Sequence, residues 1–152
     1  MSASFAVEPL DRFWPEADGL MAAHTREVDA CDPADYRFDV AQAKAIENAG
    51  MLVICTARDG GRIIGYCIWF LSTSLVCAGR KIATQTGWYV TPDSREGGLG
   101  LRLFQFAINE LRLRGVVEAF PHFWAKSSPR LHQFFDRLGA EPVESVYRMR
   151  LA

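Results

Sequence analysis

The sequence predicts one α/β domain, residues 1–152, built on a central mixed, mostly antiparallel sheet flanked by about four helices. Three observations carry this expectation. Two β-rich runs, Met51–Ala57 and Arg62–Leu71, are joined by Arg58-Asp59-Gly60-Gly61, where Asp-Gly offers the positive φ angles of a tight hairpin. The clearest helical stripe, Leu99, Leu103, Ala107 and Leu111 with Phe104 and Ile108 beside it, lies between two strand-like segments and reads as a crossover helix. The full order, β-α-α-β-β-β-α-β-α-β, combines a hairpin meander with that crossover, which implies a mixed sheet with helices on both faces.

Each element has a local reason. Phe5–Glu8 suits a short first strand, and after it Leu10, Phe13, Ala17, Leu20, Met21 and His24 recur at helix spacing. A proline-containing loop follows. Asp39 with Gln42 three residues on forms a capping-box pattern, and Gly50 ends the second helix. Lys81–Thr91 reads as the fourth strand, stopped by Pro92. Gly115 closes the crossover helix, Val116–Trp124 reads as a fifth strand, and Ser127-Ser128-Pro129 opens a last helix that Gly139 ends. In the tail, Val143, Ser145, Tyr147, Met149 and Leu151 alternate against charged neighbours, as an antiparallel or edge strand would.

The composition excludes several classes. Hydrophobic residues make up 49% and charged residues 23%, so neither a disordered chain nor a fibrous repeat fits. A formal net charge of −1 argues against a nucleic-acid-binding protein. That total conceals an asymmetry, since the first fifty residues hold four basic and ten acidic side chains, net −6, and the remainder is net +5. The four cysteines show no CxxC pair and no histidine at ligand spacing, so no metal site is expected, and Cys55 and Cys67 lie in apolar runs as small buried hydrophobes would. Met1–Leu10 lacks the basic start and apolar stretch of a signal peptide, and no apolar run is long enough for a bilayer; a cytoplasmic protein with no membrane partner is the expectation.

The segment that carries chemistry is Gly87 to Gly100: a strand, a turn, a glycine-rich loop and then the crossover helix. Unpaired amides at a helix N-terminus, approached over glycines that have no side chain, form a site for phosphate oxygens, and Arg95 can add a charge-assisted hydrogen bond. Other phosphate loops fit poorly. A Walker loop needs Lys-Ser/Thr after its glycines, where Leu101-Arg102 stands, and a dinucleotide fingerprint needs a third glycine where the chain has Leu103.

The pattern that does match is Arg-x-x-Gly-x-Gly, filled by Arg95, Gly98 and Gly100 after Val90-x-Pro92. It resembles the acetyl-CoA signature of the GNAT N-acetyltransferases. The hairpin, the helix, the fifth strand and the Phe-Phe-Asp-Arg-Leu-Gly run at 134–139 follow in the family's order, and among its members the chain looks most like small, phage-associated ones. The resemblance implies a GNAT-like acyl-CoA N-acyltransferase fold and direct transfer of acetyl from coenzyme A to a primary amine of a small molecule or protein. It also implies that amides of Glu96, Gly97, Gly98, Leu99, Gly100 and Leu101 hold the CoA pyrophosphate, and that main chain at Trp88, Tyr89 and Val90 pairs with the pantetheine arm. Ser128 sits where the family has a polar group near that arm, or else caps the last helix.

The proton carriers are less evident. Where many members have a glutamate on the fourth strand, this chain has Thr84, Gln85 and Thr86; where many have a tyrosine in the last helix, it has Phe135. His122, expected on the same face of the fifth strand as Glu118 or else a histidine that satisfies a local hydrogen bond, and Tyr89 are the catalytic candidates, with His132, more often a helix-surface residue, behind them. Glu27, Asp29, Asp32, Asp35 and Asp39 would attract a cationic acceptor or simply form a solvated face, and Tyr36, Phe38 and Trp69 would line an apolar wall or belong to the core. A homodimer is compatible with these readings. The competing function is a GNAT-like module that binds acyl-CoA as a sensor, or a phage-associated interaction protein, without turnover.

Overall fold

Alternation along the two longest strands decides the layers. In β2 (Leu52–Asp59) and β3 (Arg62–Thr73), Ile54, Tyr66 and Ile68 share one face and pack with Leu10, Phe13 and Ala17 of helix α1 (Leu10–Glu27). The residues between them, Cys55, Cys67 and Trp69, turn to the other face, where the Trp69 ring lies 5.9 Å from Phe104 of α3 (Leu99–Leu113). Both faces are therefore covered, which is why the burial of β3 is nearly continuous from Ile63 to Trp69. Each such large apolar side chain, Phe13 and Leu103 among them at 0% exposure, contributes roughly 1.5–3 kcal/mol on leaving water.

The computed structural model describes residues 3–28, 30–124, 129–149 and 151. Two compact units are distinguished, residues 1–122 and 123–152. The first holds a five-stranded sheet in the order β1-β2-β3-β4-β5, with β1 at Ser4–Val7, β4 at Lys81–Val90 and β5 at Glu118–Phe120. The first three pairings are antiparallel, and β4 with β5 is parallel, as the crossover through α3 requires. The short helix α2 (Val40–Asn48) begins where expected, with the Asp39 carboxylate accepting from Gln42 N at 2.8 Å. Its Glu47 in turn accepts from Leu10 N at 2.6 Å, satisfying an amide of α1 that Pro9 cannot cap.

Three expectations need correction, and one open alternative is decided. The hairpin turns on Gly60 and Gly61, both with positive φ, and Arg58 belongs to β2. There its guanidinium is buried and held by both oxygens of Glu8, at 2.7 and 2.9 Å, by Glu16 and by the Gly61 carbonyl, so a residue assigned to a turn is the centre of an ion-pair cluster joining β1's end, α1 and the hairpin. The fifth strand is three residues rather than Val116–Trp124, because only Ile82, Ala83 and Thr84 of β4 offer it a ladder. For Trp69, where the sequence leaves wall and core both open, the structure decides for core, on the α3 face. Finally, residues 143–149 form no strand, and Val143, Tyr147, Met149 and Leu151 are exposed: period-2 alternation makes a strand only where a neighbouring edge accepts it.

In the second unit, α4 (Pro129–Arg137) buries Phe135, whose ring stacks on Phe123 at 5.5 Å and meets Phe134 at 5.0 Å. Gly139 follows with φ 71°, as a helix stop does.

Candidate active site

The site grows from the place where the sheet comes apart. β4 pairs with β5 only as far as Thr84, opposite Phe120, while its pairing with β3 continues to Val90. From Gln85 to Val90, β4 thus has no ladder partner on its β5 side among the described residues, and an extended ligand could add along that side. A register shift opposite Ile68 and Trp69 makes Thr86 an extra residue, the bulge that accompanies this separation.

Beyond Val90 the chain makes two single 3-10 turns, Pro92–Ser94 and Glu96–Gly98, and enters α3 with Gly98 at its N-cap. Gly97 and Gly98 both take left-handed φ, 70° and 72°, and a Cβ built on either would meet no heavy atom within 4 Å. The ground above the loop is open. Among the described residues no side chain caps α3, so the amides of its first turn, from Leu99 to Leu101, have there neither an intrahelical nor a side-chain acceptor, and the helix dipole adds partial positive charge to them. Gly100 is different: it lies against the Trp88 ring, 3.6 Å from a built Cβ, and Trp88 packs on Phe104. A phosphate group fits this donor set, and an arm continuing from it meets the free side of β4.

Arg95 is committed in another direction from the one its motif position suggests. Its Nε donates to the Val90 carbonyl at 3.0 Å, Nη2 pairs with Glu27 at 2.6 Å, and the guanidinium lies 5.5 Å from the Tyr89 ring centre. It therefore ties the loop to the last turn of α1 and holds Glu27, a carboxylate at the unfavourable end of a helix dipole. Glu96 and Leu101 are exposed on the loop and first turn. Ser128 lies outside the described residues.

The catalytic candidates separate. Tyr89 is 7% exposed, with its ring stacked on His24 at 5.0 Å. His122 lies two residues past the end of β5, so the two-residue period relating it to Glu118 does not apply; its side chain is exposed, and its carbonyl accepts from Gln85 Nε2 at 3.2 Å. Glu118 pairs with Arg80 at 2.6 Å. His132, in the second unit, is exposed and meets the Phe123 ring edge-on at 4.7 Å.

One group was missed. His24 Nδ1 lies 2.7 Å from the hydroxyl of Tyr66, a residue 1% exposed with no other hydrogen-bond acceptor among the described residues. The Tyr66 hydroxyl accordingly donates to Nδ1, and His24 presents an N–H from Nε2 rather than a lone pair. Burial pushes the His24 pKa below its ordinary value; Glu27 acts against this and Arg95 with it. Nearby, Tyr36 donates to the Asp18 carboxylate at 3.2 Å, and burial followed by that contact pushes its phenol up to about 12. The signal for His24 was present in its spacing from Leu10, Phe13, Ala17 and Leu20, but only the fold brings Tyr66 to it.

A strand edge freed by a splayed parallel neighbour, running into an uncapped helix start over two left-handed glycines, agrees with what the sequence matches over residues 15–140: the acetyltransferase (GNAT) family. The chain belongs to the GNAT family. Among curated proteins none matches the sequence significantly. Solved GNAT-like structures share the fold. A ribosomal-protein-alanine N-acetyltransferase from Brucella melitensis biovar Abortus 2308 is 18% identical, with TM-score 0.74 over 99% of this chain and 100% of that one. An aminoglycoside acetyltransferase from an uncultured soil metagenomic sample is 14% identical, with TM-score 0.80 over all of both chains. AAC(6')-Iy in complex with the bisubstrate analogue CoA-S-monomethyl-acetylneamine is 18% identical, with TM-score 0.73 over 99% of each. The resemblance to phage-associated members finds no support in these matches. A GNAT protein acts with acyl-CoA, and the loop and free strand edge described above fit that group. Among the described residues, no helix is long and apolar enough to cross a membrane and no cluster could hold a metal ion.

Proposed function

We propose that this GNAT protein is an acetyl-CoA-dependent N-acetyltransferase for a primary amine, carried by a small molecule or a protein. The observation that carries the reading is the continuity of the Gly97-Gly98 loop with the unpaired side of β4. In this reading amides from Glu96 to Leu101 hold the pyrophosphate, and the main chain between Trp88 and Val90, through Tyr89, holds the arm with the groups directed away from β3, the Val90 carbonyl being already taken by Arg95. When bound, acetyl-CoA supplies a thioester whose carbon the neutral amine attacks, the C–S bond breaking as C–N forms.

The chain's own contribution is orientation and the handling of one proton. His24 is unsuited as a base in its Tyr66-bonded tautomer, and Tyr89 is packed as a platform between His24 and Arg95. His122 remains as the proton acceptor: its ring is exposed, and the Gln85 contact holds its main chain beside β4 where the strands diverge. The acidic first fifty residues, net −6, favour a cationic acceptor, a preference that weakens as salt rises.

A second reading, a non-catalytic acyl-CoA sensor, is favoured by the absence of a carboxylate on β4 and by Phe135, which packs with Phe123 and Phe134 and offers no hydroxyl. Calorimetry with acetyl-CoA followed by an amine panel read by free-thiol release decides. Binding with turnover supports the enzyme, binding without turnover on any amine supports the sensor, and no binding at millimolar ligand removes both. For the enzyme, His122→Gln should lower kcat/KM by about 10²–10⁴.

A further inference from the structure

Gln85 carries a polar atom that the fold leaves unused. The residue is 5% exposed; its Nε2 donates to the His122 carbonyl, and its Oε1 is buried without a hydrogen-bond partner. The two ends of this carboxamide are not interchangeable, because a carbonyl oxygen can only accept, so the NH2 faces His122 and the oxygen faces away. An acceptor shut off from water and left without a donor is costly in a folded protein and calls for an explanation. The contact with His122 accounts for the nitrogen but not for the oxygen.

Its place in the fold supplies the explanation. Gln85 is the first residue of β4 beyond the ladder with β5, and its side chain reaches across to the segment that leaves β5. Oε1 shares a carbon with Nε2, so it too sits where the strands separate. The residue is held there from both sides, by the His122 contact and by the bulge that begins at its pairing with Trp69. As the direct partner of Trp69, Gln85 lies on the α3 face of the sheet, whereas α1, His24 and Tyr66 lie on the other.

We propose that Gln85 Oε1 accepts a hydrogen bond from an amide N–H of the pantetheine arm of coenzyme A. The inference rests on the acyl-CoA reading above and adds to its main-chain contacts a side chain that fixes how far the arm runs along β4. The arm is the donor inferred because it carries amide N–H groups and because the side of β4 away from β3 runs on from Gln85 toward the Gly97-Gly98 loop. The donor enters through the opening between the strands, since the oxygen is closed to bulk water.

Two ligands separate the arm from the rest of the molecule: CoA, and 3′-phospho-ADP, which keeps the pyrophosphate but has no arm. Gln85→Met is of similar length and carries neither donor nor acceptor. Its Kd for CoA should rise about tenfold while that for 3′-phospho-ADP stays within twofold of wild type. Equal weakening of both ligands, or an unchanged Kd for CoA, would overturn the proposal. A measurement that needs no variant stands beside it: in wild-type protein labelled with carbon-13 glutamine, the Gln85 Cδ resonance should shift on adding CoA and not on adding 3′-phospho-ADP. A resonance indifferent to CoA, in a protein that calorimetry shows to bind it, would mean that a trapped water serves Oε1 and would refute the assignment. Failure of the wild type to bind CoA at all would instead remove the acyl-CoA reading, and this inference with it.

Discussion

Replacing Gly98 by aspartate tests the anion site with the least disturbance to the fold. The position is the N-cap of α3, its φ is 72°, and a Cβ there meets nothing within 4 Å, so no clash is introduced. A left-handed φ costs an L residue roughly 1–2 kcal/mol, somewhat less for aspartate, and a negative charge at a helix N-terminus returns about 0.3–1 kcal/mol. The folded protein should therefore lose about 1 kcal/mol at most, a fall in Tm of roughly 2–4 °C for a chain of this size. The ligand is affected far more. A carboxylate about 4 Å from a phosphate charge, at an effective dielectric near 20, is repelled by roughly 4 kcal/mol, which is close to a thousandfold in Kd. Gly98→Ala carries the strain without the charge and should weaken CoA less than tenfold. Calorimetric titration of the three proteins with CoA, alongside thermal melts, reads both quantities. CoA affinity in Gly98→Asp within threefold of wild type would refute the loop assignment, and a Tm fall above 10 °C would attribute any loss to folding instead.

Three further outcomes follow from the packing. Arg58→Ala leaves Glu8 buried without its partner and should cost about 3–5 kcal/mol in urea denaturation; because the Arg58 contact holds the Glu8 carboxyl below its ordinary value, that stabilisation is present above pH about 4.5 and is lost as pH falls through the folded pKa. A loss under 1 kcal/mol would show the cluster to be solvated. The His24 imidazole, followed by proton NMR, should titrate below 6.5. Since its folded pKa is lowered, the unfolded chain takes up the proton first, so stability falls as pH drops below about 6.5 and levels off beneath the folded pKa; His24→Gln should remove that slope. Among the thiols, Cys31 and Cys77 are exposed and should react with a disulfide reagent in the native protein, whereas Cys55, pushed up to about 12 by burial, and Cys67 should react only on unfolding; four fast thiols would contradict the packing.

How much of this is legible in the chain depends on the range of the interaction. The capping contact of Asp39 with Gln42, the glycine loop before α3 and the stripe of Leu99, Leu103, Ala107 and Leu111 are decided by residues within a few positions of one another, and the structure has all of them where the sequence puts them. The tail and the far end of the fifth strand differ from expectation for the opposite reason. Alternation describes which residues would share a face, but pairing needs an edge, and β4 turns away from β5 after Thr84.

The sequence by itself determined the mixed fold and the place of the glycine loop before α3, because both are written in short-range periods and in residues that tolerate a left-handed φ. Only the tertiary structure decided which polar groups meet. Arg58 joins Glu8 and Glu16 across fifty and forty-two positions, Arg95 turns to Glu27 across sixty-eight, His24 finds Tyr66 across forty-two, and Gln85 reaches His122 across thirty-seven. Hydrogen bonds act over about 3 Å in space whatever the separation along the chain, so their partners are set by how the sheet and helices pack. The unmet oxygen of Gln85 exists for the same reason: β5 leaves β4 just before this residue, so no neighbouring strand supplies its donor.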